Sequence, residues 1–184
     1  MKEDFNYYRV KTEWVAENND GGISKRKTEE LVLAANYTEA EKVAYLIAES
    51  QERCKLESSI TIDIVKTKIK EMLYNSTLQH DNVMIGGLVH NYFEESDDTG
   101  VGLYSVKVVY FEVDEKTGKE RHPNETIYTP ATSATDAIDF VKKYLNDVET
   151  RDFIVRDAKF DKAEAILWSA DTQEQKSNQF DKYE

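Results

Sequence analysis

The chain has 184 residues, with 24 Lys and Arg against 36 Asp and Glu for a formal net charge of −12, and is 40% apolar and 33% charged. That length admits one domain or two small ones and excludes a large multidomain enzyme. The acidic balance disfavours an extended sequence-independent DNA-binding surface, because phosphate binding depends on Lys and Arg, but it leaves room for a local basic groove.

An aromatic content of 11% with only two prolines sets the chain apart from disordered sequences and predicts a packed core. The opening residues 1–10 are charged and lack the apolar run of a signal peptide, and no stretch approaches the roughly 20 apolar residues of a membrane span. The expectation is a soluble, cytoplasmic protein. A single cysteine, Cys54, excludes an intrachain disulfide and a Cys-rich zinc site. The glycosylation sequons at Asn36, Asn75 and Asn124 are accordingly read as chance.

In chain order, Tyr8, Val10, Thr12 and Trp14 alternate with Tyr7, Arg9, Lys11 and Glu13, the period of a half-buried strand. Asp20-Gly21-Gly22 predicts a turn into a second strand through Leu31-Val32-Leu33. Thr38 with Glu41 is read as a helix start of the capping type, followed by Ala40, Val43, Ala44 and Ile47 at helical spacing. Ile62 to Lys66 reads as a closing strand. The same order of features recurs from Tyr104-Ser105-Val106-Lys107. Tyr104, Val106, Val108 and Tyr110 alternate, Thr117-Gly118 makes the turn, and Thr126-Ile127-Tyr128-Thr129 returns. Ser133 or Thr135 ahead of Asp136 starts a helix with Ala137, Phe140, Val141 and Tyr144 on one face, and Phe153 to Arg156 closes the copy. The predicted class is α+β, an internal duplication of a β-β-α-β unit with an antiparallel sheet and helices on one face. The predicted blocks are 1–74 for the first copy, 75–102 for a partly packed acidic linker with Glu94 to Asp98, 103–168 for the second copy, and 169–184 for a polar mobile tail.

Enzyme signatures are absent from the sequence. Cys54 has no local nucleophile motif and reads as an inert thiol at a helix end. His80, His90 and His122 stand at no metal-ligand spacing. Thr117-Gly118-Lys119 lacks the upstream glycine and following hydroxyl of a phosphate loop, and Gly86-Gly87 lacks the spacing of a dinucleotide fingerprint. The reading is a non-enzyme with no cofactor and no metal. Against the acidic background, Lys25-Arg26-Lys27 lie in the first hairpin and Lys116, Lys119 and Arg121 in the second, beside matched Lys11 and Lys107 and matched Trp14 and Tyr110. Charge for phosphates beside ring faces for bases is the chemistry of a single-stranded nucleic acid groove. The plainer alternative makes Trp14 and Tyr110 core residues and the lysines solubilisers of hairpin tips.

The duplicated Tyr-x-Val-Lys openings, the Leu-Val-x-Ala run followed by Tyr37-Thr38-Glu39-Ala40-Glu41, and the hairpin from Val113 to Glu120 resemble a family of unknown function found in Bacteroidota and their phages, including crAss-like phages. The likeness runs from about residue 7 to 167. It departs in the long connector with Glu94 to Asp98 and in the added polar tail. Phage members of that family are grouped with replication genes as single-stranded DNA-binding proteins, so the resemblance implies that role and supplies no catalytic residues. The expected function is therefore a non-enzymatic, phage-type single-stranded DNA-binding protein of replication or recombination. Lys25, Arg26, Lys27, Lys119 and Arg121 would contact phosphates, Lys11 and Lys107 would line the groove, and Trp14 and Tyr110 would stack. Its expected partners are single-stranded DNA, a replication or host protein, and other copies of itself. The rival is an acidic protein interaction module that never touches nucleic acid.

Overall fold

The computed structural model describes residues 4–50, 60–75, 79–93 and 100–184. Cys54 and the run from Glu94 to Asp98 lie outside the described residues. The alternating residues of the opening form two long strands, β1 (Asn6–Glu17) and β2 (Ile23–Ala34), paired antiparallel. At their turn the Asn18 N–H donates to the Gly22 carbonyl at 2.6 Å and Gly21 takes a φ of 81°, a conformation that costs glycine nothing. The helix α1 (Tyr37–Ser50) follows. Its start is a reciprocal pair: Asn36 Oδ1 accepts from the Glu39 N–H at 2.9 Å, and Glu39 Oε2 accepts from the Ala35 N–H at 3.3 Å. This box stands two residues before the expected Thr38 with Glu41. Asn36 stands immediately before α1, two residues past the strand, so its short amide already reaches the free donors of the first turn.

The chain continues through β3 (Thr61–Lys66), β4 (Glu71–Met72), β5 (Gln79–Ile85) and β6 (Leu88–Tyr92). Then come β7 (Gly102–Val113), β8 (Glu120–Arg121), β9 (Asn124–Ala131), α2 (Ala134–Val148), β10 (Asp152–Asp161), β11 (Ala165–Trp168) and α3 (Ala170–Phe180). The class is α+β. No helix among the described residues is long and apolar enough to cross a membrane.

Two compact units result, and neither is one continuous stretch of chain. The first comprises Met1–Lys68, His80–Tyr92 and Ala163–Gln173, and the second Ile69–Gln79, Phe93–Lys162 and Glu174–Glu184. In the first, six strands run in the order β3-β1-β2-β11-β6-β5. Tyr8, Val10 and Val32 on one side of this sheet pack on Ala40, Val43 and Ala44 of α1, the helical face expected from its three and four spacing. Trp168 is fully buried and its indole N–H donates to Asn91 Oδ1 at 2.6 Å.

In the second unit the order is β10-β7-β9-β4, with β8 on β7. Val106, Val108 and Ile127 form a core with Phe140, Val141 and Leu145 of α2. Ser133 caps α2 by accepting from the Asp136 N–H at 3.0 Å, and Asp136 Oδ2 accepts in return from the Thr132 N–H at 3.0 Å. Residues 169–184 are a helix and a short 3-10 turn instead of the expected mobile tail. Phe180 and Tyr183 are buried, and their rings meet Tyr144 edge-on at 5.2 and 5.7 Å. Tyr183 donates to Asp147 Oδ2 and Lys176 Nζ donates to the Met72 carbonyl at 2.7 Å. Two aromatics and a lysine stem, too few to show as a periodic pattern, anchor the segment.

The two units share one pairing plan. Val10 is paired with Glu30 on one side and Ile64 on the other, and Val106 likewise with Ile127 and Ala158. A parallel strand then flanks each hairpin: Ala165 of β11 is paired with Glu30, and Glu71 of β4 with Ile127. Among the strand pairings described, each sheet is thus antiparallel except for one parallel pairing. A parallel neighbour cannot be supplied by a tight turn. Here it comes from the opposite half of the sequence, which is why contiguous blocks such as 1–74 and 103–168 do not coincide with the compact units. Residues expected as part of a linker supply β5 and β6.

Candidate nucleic-acid interface

On β7 the side chains alternate between two faces. Val106, Val108 and Tyr110 lie on the side covered by α2, and Lys107, Val109 and Phe111 lie on the other. There they line an open cleft of about 460 Å³ together with His122, Asn124 and Arg156. Arg156 stands two residues after Ile154, which is paired with Val109, and so lies on the cleft face by ordinary alternation, just ahead of a β-bulge. Val155 is paired with Val108 and Asp157 with Lys107, so Arg156 is the extra residue between them. The bulge brings Asp157, paired with Lys107, to the same face instead of the opposite one. Lys107 and Arg156 are exposed, and among the described residues neither is held in an ion pair. Phe111 meets the His122 ring edge-on at 4.9 Å. The local acid to set against these cations is Asp157, the cross-strand neighbour of Lys107.

Geometry of this kind describes a surface for an anionic, ring-bearing ligand without naming a family. A family model described as Domain of unknown function (DUF4494) matches residues 6–169. The chain belongs to the DUF4494 family. No curated protein matches it. The match to DUF4494 takes in both units' hairpins, α1, α2 and the cleft, and stops just before α3.

Against this frame the sequence-derived residues separate. Lys107 lines the cleft; Tyr110 does not. Three positions apart on a strand means opposite faces, so Lys107 and Tyr110 diverge, as do Lys11 and Trp14. Tyr110 is 2% exposed. Its hydroxyl donates to Glu125 Oε2 at 2.5 Å and the Arg151 guanidinium covers its ring at 4.1 Å. Burial, followed by the Glu125 hydrogen bond and charge, raises its pKa. Arg151 in turn is held by Glu149 at 2.8 Å and Glu112 at 3.2 Å. Its hydrogen bond keeps the Glu149 carboxyl down at about 2. Trp14 is likewise buried, with an indole N–H that finds no partner. Both rings are core residues, and stacking on a base is closed to them.

The remaining cations divide between free and paired. Lys11 is exposed, with Glu29 and Asp63 as its cross-strand neighbours. Lys25 pairs with Glu13 at 3.1 Å, and Arg26 donates to Asn18 Oδ1 at 3.3 Å. Lys27 is exposed opposite Glu13. Arg121 pairs with Asp114 at 3.0 Å. Lys119 is exposed in the second hairpin, where its backbone carbonyl accepts from the Asp114 N–H.

Sequence reasoning missed Phe111, His122, Asn124 and Arg156. Strand parity counted from Lys107 would have chosen Phe111 over Tyr110. The same parity reaches Arg156, which alternates with Phe153 and Val155 and so falls on the face opposite them. Among the described residues no group of three or more His, Cys, Asp or Glu could hold a metal ion.

Proposed function

We propose that this DUF4494 chain is a non-enzymatic single-stranded DNA-binding protein of phage type, acting in replication or recombination in the cytoplasm of a bacterial host. The observation that carries the reading is the cleft of the second unit, where two unpaired cations, Lys107 and Arg156, line the same surface as the half-buried Phe111 and the exposed His122. Backbone phosphates would lie on the cations and a base would pack on the rings, a combination that tolerates any sequence. The resemblance to phage replication proteins points the same way. Lys107 is retained from the sequence reading, while Phe111 replaces Tyr110 as the stacking ring.

Fluorescence anisotropy with a labelled thirty-mer, single-stranded and duplex, tests this directly. The single strand should bind more tightly. Two phosphate contacts give a slope of log affinity against log salt of about −1.4. The double variant K107E/R156E should lose that slope and at least tenfold in affinity, with an unchanged circular dichroism spectrum. Absence of binding at low salt, or binding indifferent to the double variant, overturns the proposal.

A further inference from the structure

His122 stands in the short link between β8 and β9 and lines the cleft of the second unit. Its backbone is pinned there. The next residue, Pro123, accepts the Tyr110 N–H at 2.9 Å through its carbonyl, and Asn124 is paired in register with Val109. His122 is exposed, and its ring meets that of Phe111 at 4.9 Å with 80° between the planes. Among the described residues its ring nitrogens make no hydrogen bond. An imidazole held in place with both nitrogens open has two N–H groups to donate once it carries a proton.

The charged groups on this face decide what that proton does. Lys107 comes from β7 and Arg156 from β10, neither held in an ion pair among the described residues. The acids of β10 are Asp157, in register with Lys107, and Asp152, in register with Phe111. On β8, Glu120 is in register with Val113, and Arg121 is engaged by Asp114 at 3.0 Å. From β9 comes Asn124, which is neutral. In the free protein the two cations oppose a third positive charge and the aspartates favour it. A phosphate lying against Lys107 and Arg156 adds negative charge beside the ring and tips that balance toward the imidazolium. The effect is reciprocal: binding of the anion takes up a proton, and the proton tightens binding of the anion. Histidine changes charge between pH 5 and 8, whereas lysine and arginine stay charged across that range.

We infer that His122 is a proton-dependent third phosphate contact of this cleft, which tightens its hold on a single strand as pH falls from 8 to 6. The inference rests on the reading of the cleft as a phosphate-binding surface and adds a regulator to it. The contribution is fully present where the free ring is already protonated, and it is lost as pH rises past the point where the bound ring releases its proton. Above that point binding persists on Lys107 and Arg156 alone.

The probe is a single-stranded thirty-mer of thymidine, whose bases do not titrate between pH 6 and 8, labelled with rhodamine and followed by anisotropy at both pH values. Wild-type affinity should be higher at pH 6 by about fivefold or more. The slope of log affinity against log salt should steepen from about −1.4 to about −2.1, a third contact at about 0.7 each. Glu30 of the first unit, with its pKa raised to about 8, changes charge over the same interval, so the variants decide. His122→Gln keeps a polar side chain that cannot take the proton, and should bind at both pH values as the wild type does at pH 8. His122→Lys should bind at both with the affinity and slope of the wild type at pH 6. Binding that K107E/R156E abolishes but that is equal at the two pH values overturns this inference alone, as does a pH response that H122Q retains. Absence of binding at low salt at either pH, or binding that K107E/R156E leaves unchanged, overturns the reading of the cleft and this inference with it.

Discussion

Glu30 should make the first unit lose stability as pH rises. It lies on β2, 4% exposed, paired in register with Val10 and with Ala165 of β11. Burial is the first cause that raises its pKa, from 4.5 to about 8. Nearby Glu164 and Glu29 add to the rise, and a hydrogen bond from Thr28 opposes it. Between these values the folded chain holds a proton that the unfolded chain has released. Stability is therefore fully present below about 4.5, falls through the interval, and levels off above about 8. The span from 4.5 to about 8, at about 1.4 kcal/mol per pH unit, sets a ceiling of ~5 kcal/mol on the loss. Local opening that lets water reach the carboxylate would reduce it.

Urea unfolding at pH 5 and pH 9, for the wild type and Glu30→Gln, measures this loss. Both tryptophans of the chain, Trp14 and Trp168, belong to the first unit, so their fluorescence reports that unit alone. The glutamine keeps the size of the side chain and cannot ionise. Its cost is common to both pH values, and the comparison of the two slopes isolates the titration. The wild type should lose several kcal/mol more than the variant on going to pH 9. Equal pH dependence in the two proteins would refute the burial argument.

Two other outcomes follow from the fold. Ser133→Ala removes the cap of α2 and should lower stability by about 1 kcal/mol, read as a fall in the melting temperature followed at 222 nm; an unchanged melt would show that Asp136 holds the helix start alone. Separately expressed halves, residues 1–98 and 100–184, should each fail to fold and should gain structure on mixing, because β11 lies between β2 and β6 in one unit and β4 edges the sheet of the other. A cooperative unfolding transition from either half by itself would contradict that pairing.

Much of each unit was legible because local chemistry and tertiary packing agree. The alternation of Tyr8, Val10, Thr12 and Trp14 places all four on the buried side of β1, and Ala40, Val43, Ala44 and Ile47 are buried on α1 as their spacing requires. The parallel partners were not legible. Ala165 to Trp168 reads as a short apolar run, and Glu71-Met72 has no pattern at all, so nothing local assigns either to a distant hairpin. The site was half legible for a related reason. Composition located the cations of the second hairpin, and matching positions between copies drew attention to Tyr110, but matched aromatics on the α2 side of a strand are selected by the core. The ring lining the cleft is Phe111, one residue on, and Arg156 is two residues after Ile154, paired with Val109 on that face.

Register-equivalent positions carry different chemistry in the two units, and this is where their roles part. Glu30 and Ile127 occupy the same place relative to Val10 and Val106, yet one buries a carboxyl and the other a hydrocarbon. Thr12 is buried with a hydroxyl lacking a partner, near Trp14 with its unpartnered indole N–H. On the corresponding face of the second unit, Tyr110 is satisfied by Glu125 and covered by Arg151. Unsatisfied buried polar groups each cost about 1–3 kcal/mol, so the Thr12 hydroxyl and the Trp14 indole lower the stability of the first unit. In the second unit the Tyr110 hydroxyl is paired on the α2 side, behind the open cleft of the opposite face. Rigid support behind exposed cations and rings is what a binding surface requires. Perturbation of the first unit at high pH should therefore leave the proposed DNA binding at the cleft largely in place.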